Sequence, residues 1–165
     1  MDFTISAEVS SKINSELKIE TQFIENVSQP FLLISASNLF QACEFLHKSP
    51  LFYFDFLNCI TAIDNGVEEG TIDMIYHLSS IPFEKSVVLK VQIDRNLDVE
   101  TAIDSVSSIW KTAEWHEREI YDFFGVIFNN HPDLRRILMP ADWKGYPMRK
   151  DYIEQETYHG IKVKY

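Results

Sequence analysis

Thr71-Ile72-Asp73-Met74-Ile75-Tyr76-His77-Leu78, followed after a short break by Ser86-Val87-Val88-Leu89-Lys90-Val91-Gln92-Ile93, decides the fold. In the first stretch Ile72, Met74, Tyr76 and Leu78 alternate with Thr71, Asp73, Ile75 and His77. In the second, Val87, Leu89, Val91 and Ile93 alternate with Val88, Lys90 and Gln92. A period of two sends each set to its own face of a strand, so both stretches are half-buried and their brief connection makes them antiparallel. Upstream, Phe52 to Ile63 is rich in aromatic and β-branched residues and runs into Asp64-Asn65-Gly66, a strong turn signal, which adds another strand.

Further out, Phe31-Leu32-Leu33-Ile34 is a continuous apolar run suited to a buried strand. Asn38 and Gln41 fit a capping box opening a helix over Asn38 to Lys48, whose apolar positions Leu39, Ala42, Cys43 and Leu46 share one face. Past the Asp94-Arg95-Asn96 turn, Thr101 with Asp104 predicts a short helix through Trp110, and a second helix runs from Thr112 to Phe124, where Gly125 stops it. Beyond Phe128, Pro132, Pro140, Gly145 and Pro147 interrupt every period. The expectation is an α+β fold, a two-layer mixed β-sheet with helices on one face, forming a body over residues 1–128 in which 1–29 stay unassigned. Residues 129–165 form an extended, irregular C-terminal arm of the same single domain.

The chain has 165 residues, 45% of them hydrophobic, enough for one sizeable core. Its net charge of -10 is uneven: the 15 basic and 25 acidic residues divide as 8 against 20 up to Asn130 and 7 against 5 from His131 onward. An acidic body repels phosphate backbones and anionic lipid, which argues against nucleic-acid binding and direct membrane-surface binding, while the basic end points to directed docking. No apolar run approaches the roughly 20 residues that span a bilayer, and no leader pattern is visible at Met1-Asp2-Phe3-Thr4, so a cytoplasmic address is expected.

Catalytic patterns fail on geometry. The five glycines are too scattered for a dinucleotide fingerprint or a phosphate loop. Glu117 and Glu119 point about 200° apart on a helix, so they cannot flank one scissile bond. His116 lies at the edge of the apolar stripe and reads as a locally hydrogen-bonded histidine. Cys43 and Cys59 have no metal or redox spacing, Cys43 with His47 is half a metal site at most, and two thiols do not hold an iron–sulfur cluster in the usual way.

On the wheel of the helix from Thr112 to Phe124, Glu117 falls among Trp110, Ala113, Ile120, Tyr121 and Phe124, while Lys111, Arg118 and Asp122 face away. A buried carboxylate needs a partner, and Arg135, Arg136 and Arg149 are the candidates that could fold back. The clusters Arg135-Arg136 and Arg149-Lys150-Asp151, flanked by Leu134, Ile137, Leu138, Met139, Trp143, Tyr146 and Met148, have the composition of interface hot spots. They predict an arm that orders on binding a partner.

As one string, Trp115 to Tyr152 reads WHEREIYDFFGVIFNNHPDLRRILMPADWKGYPMRKDY. It resembles the thirty-kilodalton-subunit family of NADH-quinone oxidoreductase, the C subunits of respiratory Complex I. The likeness rests on Glu117-Arg118-Glu119, Tyr121-Asp122-Phe123-Phe124-Gly125, His131-Pro132-Asp133-Leu134-Arg135-Arg136-Ile137-Leu138 and Arg149-Lys150-Asp151-Tyr152 in family order, and more loosely on Tyr53 to Ser80. Tyr146 stands where the family usually has histidine and Met148 where it usually has leucine, which puts roles carried to those two positions in doubt.

The resemblance implies a non-catalytic peripheral-arm subunit that binds no flavin, cluster or metal, with flavin and iron–sulfur clusters in partner subunits. Its neighbours would be subunits D and B on the cytoplasmic side of the bacterial inner membrane. It implies Glu117, Arg118 and Glu119 as a structural motif and Arg135, Arg136, Trp143, Arg149, Lys150 and Asp151 as docking residues. Because the chain stops soon after Tyr152, it resembles the separate form of the family and not the form fused to the D protein of the same complex. Related subunits serve complexes with other electron donors, and a stand-alone oxidoreductase or hydrolase is the competing class.

Overall fold

In a computed structural model, which describes residues 4–96 and 102–163, the chain runs α1 (Thr4–Leu17), β1 (Gln22–Ile24), β2 (Phe31–Ile34), α2 (Ala36–Lys48), β3 (Phe56–Gly66), β4 (Thr71–Ser80) and β5 (Lys85–Asp94). It continues through β6 (Ile103–Asp104), α3 (Ala113–Phe124), β7 (Phe128–Asn129) and a closing hairpin of β8 (Thr157–Tyr158) and β9 (Ile161–Lys162). Five strands form one mixed sheet in the order β1-β2-β5-β4-β3, antiparallel except for the parallel β2–β5 pair. The alternation read from sequence is the register seen: Ile72 pairs with Ile93, Met74 with Val91, Tyr76 with Leu89 and Leu78 with Val87, all buried. With Leu32, Ile34, Leu57 and Ile60 they meet one core, into which α1 sends Ile5, Val9 and Ile13, α2 sends Leu39, Ala42, Cys43 and Leu46, and α3 sends Ala113, Ile120 and Phe124.

Three local readings are corrected. Helix α2 starts at Ala36, with Ser35 as its cap residue, so Asn38 lies in the first turn and the capping box does not form. Asp64-Asn65-Gly66 is not the turn: β3 runs through Gly66 with a register shift between Asp64 and Gly66, and the reversal falls at residues 67–70. Asp64 is instead buried, because its carboxylate serves a distant ion pair. The unassigned N-terminal region supplies α1 and β1.

The helix expected from Thr101 to Trp110 does not form. Thr101 itself lies outside the described residues, and from Ile103 the chain pairs in parallel with Phe128 and Asn129 of β7 before a single turn at Val106 to Trp110. Serine side chains compete with the helical ladder here: the Ser105 hydroxyl accepts the Ser107 amide, and the Ser105 amide is taken by the Asn129 carbonyl.

Gly125 ends α3 in the left-handed region (φ 77°), its amide returning to the Tyr121 carbonyl. A Cβ added there would lie 2.4 Å from the Tyr146 ring, whereas one added at Gly70 (φ 64°) meets nothing within 4 Å. Gly70→Ala should therefore cost only the conformational strain, about 1–2 kcal/mol. Gly125→Ala should cost clearly more, because it also expels Tyr146. Denaturant midpoints of the two variants compare the effects directly; equal losses would show that Tyr146 does not sit against the helix end.

Candidate docking site on the clasped arm

The residues after β7 have no core of their own, and buried carboxylates of the body tie them down. Asp122 is fully buried on the face of α3 that the wheel assigned to solvent, because the arm covers that face while the sheet covers the other. Its Oδ2 accepts the amides of Ile137 (3.0 Å), Leu138 (2.7 Å) and Met139 (2.9 Å), and its Oδ1 accepts Arg136 Nη1 (2.9 Å). Burial alone would raise the Asp122 pKa, but those three amides and the guanidinium outweigh it and hold the carboxyl below its usual range.

Asp64 is the second clasp. It receives Arg95 Nε at 2.7 Å and Nη2 at 3.1 Å, and the Lys150 amide at 2.7 Å. Here too burial pushes upward, but Arg95 and the amides of Lys150 and Gly66 bring the pKa down to about 2. Arg95 also bonds Asp151, while Lys150 Nζ donates to the Asn65 carbonyl (3.2 Å) at the end of β3. The arm is therefore fastened at residues 136–139 and 150–151 within the single chain. These fastenings lie within the chain itself, whereas the broken periodicity predicted an arm whose apolar residues a partner covers.

The sequence-predicted residues divide as follows. Glu117 is fully buried as expected, but none of the three arginines reaches it. Its partners are the Val106 amide on Oε1 (2.8 Å) and the Ser105 hydroxyl on Oε2 (2.5 Å). The nearest basic group is His131, with Nε2 3.8 Å from Oε2; that ring takes the Asp133 amide on Nδ1 and directs Nε2 at the Glu114 carbonyl. Burial lifts the Glu117 pKa to about 7 against the two hydrogen bonds, and Glu114 adds to the rise.

Arg118 stacks over exposed Trp115 (5.0 Å) and donates to the Arg135 carbonyl, Arg135 meets Asp133, and Glu119 is exposed. Trp143 donates to the Tyr152 hydroxyl (3.0 Å) and packs on Tyr158. Arg149 Nε donates to the Phe124 carbonyl (2.7 Å), at the end of α3. Tyr146, one of the two departures from the family pattern, lies against Gly125 with the guanidinium carbons of Arg136 and Arg149 5.2 and 5.0 Å from its ring centre. The carboxylates Asp64 and Asp122 were not singled out from sequence. Their signal was an acid at a strand end directly after the apolar run to Ile63, and an acid between aromatic residues in the Tyr121-Asp122-Phe123 run.

With its connections made inward, the arm turns Leu138, Met148 and Ile153 outward at 60%, 57% and 82% exposure, and Trp115 and Ile127 of the body are exposed as well. Among the described residues no group of three or more His, Cys, Asp or Glu is placed to hold a metal ion, and no helix is long and apolar enough to cross a membrane.

The sequence pattern of the respiratory-chain NADH dehydrogenase 30 Kd subunit family matches residues 32–158, a stretch that takes in the sheet from β2 onward, α3 and both clasps. This chain belongs to that family. The NADH-quinone oxidoreductase C subunit of Chlorobium phaeobacteroides is 41% identical over 145 residues, covering 87% of this chain and 85% of the relative. Its counterpart in Chloroherpeton thalassium is 41% identical over 142 residues, 85% of this chain, but the chain spans only 57% of that relative. Among solved structures, a chain of the membrane-bound sulfane sulfur reductase, an archaeal respiratory membrane complex, superposes with a TM-score of 0.72 at 25% identity, covering 90% of this chain and 86% of that one. The 30 Kd subunit fold thus occurs in a complex whose name carries a different electron-transfer chemistry.

The buried acids make two properties measurable. A Glu117 pKa raised from its ordinary value of 4.5 to about 7 means the folded chain binds more protons between those limits. Stability should therefore be highest below about pH 4.5 for this group and fall by roughly 3 kcal/mol as pH rises through about 7. In the difference between wild-type and Glu117→Gln unfolding curves from pH 5 to 8 that slope should appear in the wild type alone; parallel curves would show that Glu117 is ionised throughout. Asp122→Ala leaves three amides without their acceptor and Arg136, which keeps the Asp122 and Gly145 carbonyls, without its counterion, and should cost about 3–5 kcal/mol. It should also open residues 137–150 to limited proteolysis, and a variant as resistant as wild type would show that the arm is held elsewhere.

Proposed function

We propose that this chain is a non-catalytic, cofactor-free subunit of a proton-translocating NADH:quinone oxidoreductase, and that its clasped arm is the surface on which the electron-transfer subunits assemble. One observation carries the reading: the arm ties Arg136 and Asp151 to its own body and holds a set of large apolar side chains, Leu138, Met148 and Ile153, in water. Exposed apolar groups on a fixed scaffold are the anchors of an interface, because they bury area on docking without an ordering cost. Family membership supports a respiratory complex as the setting; on this reading subunits D and B are the partners and the cytoplasmic face of the membrane is the location. On this reading the flavin and iron–sulfur clusters are held by partners, and any membrane contact is made through the complex.

A second reading, an equivalent subunit of a complex with another electron donor, draws support from the fold shared with the sulfane sulfur reductase chain.

Leu138→Glu and Met148→Glu change side chains that the body does not use. Each should leave the melting temperature within about 2 °C of wild type, as surface changes do. Each should also cut recovery of subunits D and B with the tagged chain several-fold. Full recovery of both partners would show that this face of the arm is solvated in the complex. NADH oxidation assayed on the purified chain alone should be absent; activity there would establish the stand-alone enzyme instead.

A further inference from the structure

Arg149 is a cation that makes no direct ion pair among the described residues. Its Nε is committed to the Phe124 carbonyl, its Nη2 is buried with no acceptor, and among the described residues no carboxylate lies within ion-pair distance of its guanidinium. The nearby acids are already taken: Asp64 and Asp151 both bond Arg95, and Asp122 bonds Arg136. Arg149 lines a cavity of about 410 Å³ together with Lys144, Asp151, Tyr146, Tyr152 and Ile153. Lys144 adds a second cation whose amino group has no partner among the described residues, so the cavity holds two cations with no direct ion pair beside one carboxylate, Asp151, which shares Arg95 with Asp64.

We propose that this cavity receives an aspartate or glutamate side chain of a neighbouring subunit, with Arg149 and Lys144 as its counterions. The inference rests on the docking reading and names the chemistry of the partner. A guanidinium lying over Tyr146 presents its donors in a plane, the geometry that meets a carboxylate edge-on. The rim is apolar, with Ile153 82% exposed, which suits an acid carried on a polypeptide with apolar neighbours. An anionic lipid headgroup is disfavoured by the charge of the whole chain, -10, which opposes approach to a negative surface. Burial first and the adjacent Arg95 next lower the Arg149 pKa, and Tyr146, Asp151 and Asp64 offset this only in part.

The test uses the assembled complex. Ile153→p-benzoylphenylalanine is introduced, the complex is purified and illuminated, and the cross-linked species is sequenced by mass spectrometry. The expected product is a peptide of another subunit with Asp or Glu at or beside the linked residue. In parallel, Lys144→Glu, which removes no side-chain hydrogen bond within the described chain, should weaken recovery of that partner by roughly tenfold or more while the melting temperature holds. Reversing the identified acid to Arg should then restore recovery.

A cross-link to lipid, or to a peptide with no acid nearby, overturns the carboxylate assignment. Normal recovery with Lys144→Glu while Leu138→Glu still blocks assembly does the same and leaves the docking reading standing. Normal recovery with both variants overturns the docking reading as well.

Discussion

A single buried carboxylate, Asp122, decides how the C-terminal arm of this protein lies. It gathers three successive backbone amides and one guanidinium, and without them it would be a charge sealed between helix and chain at a cost of several kcal/mol. The dependence runs both ways, since the amides of residues 137–139 take this one oxygen as their acceptor where they cross α3. Satisfying both sides at once locks the arm to the helix, and the position of the exposed apolar groups beyond it follows. Asp64 repeats the device at the sheet edge, where Arg95 and the Lys150 amide share its two oxygens.

The two carboxylate classes in the core do different work. Asp64 and Asp122 are surrounded by donors strong enough to overcome burial, so they are ionised and act as anchors. Glu117 has one amide and one hydroxyl, which is too little, and burial governs its titration. Its hydrogen bonds instead shape the backbone of residues 105–107 into the turn that carries Trp110 back to the core, where the indole donates to the Phe54 carbonyl. The Tyr76 hydroxyl is also pushed upward, by burial first and by the Glu117 charge next.

Much of the layer structure was legible in the sequence. The period of two from Thr71 and Ser86 survives as register because slipping by one residue would turn Met74, Tyr76 and Leu89 out to water. The stripe of α2 and the glycine stop of α3 are local signals with local causes. What failed was decided at a distance. Residues 101–110 looked helical, and only a glutamate on the following helix and the neighbouring strand β7 explain why the chain from Ile103 onward pairs and turns instead. Asp64 looked like a turn residue because its partner lies 86 residues further on, at Lys150. The wheel of α3 placed Asp122 in water because a wheel assumes one covered face, and this helix has two. Glu117 was rightly read as buried, yet its partners are a hydroxyl and an amide, groups that charge counting does not see.

The Asp122 clasp reads the backbone and not the side chains of residues 137–139. An anchor of that kind is indifferent to what those positions carry, provided none of them is proline. Descendants of this protein therefore have evolutionary latitude where it matters: the outward residue at Leu138 is free to drift in step with a changing neighbour, while the fastening beneath it stays the same. A single scaffold can in this way be refitted to different machines without being rebuilt.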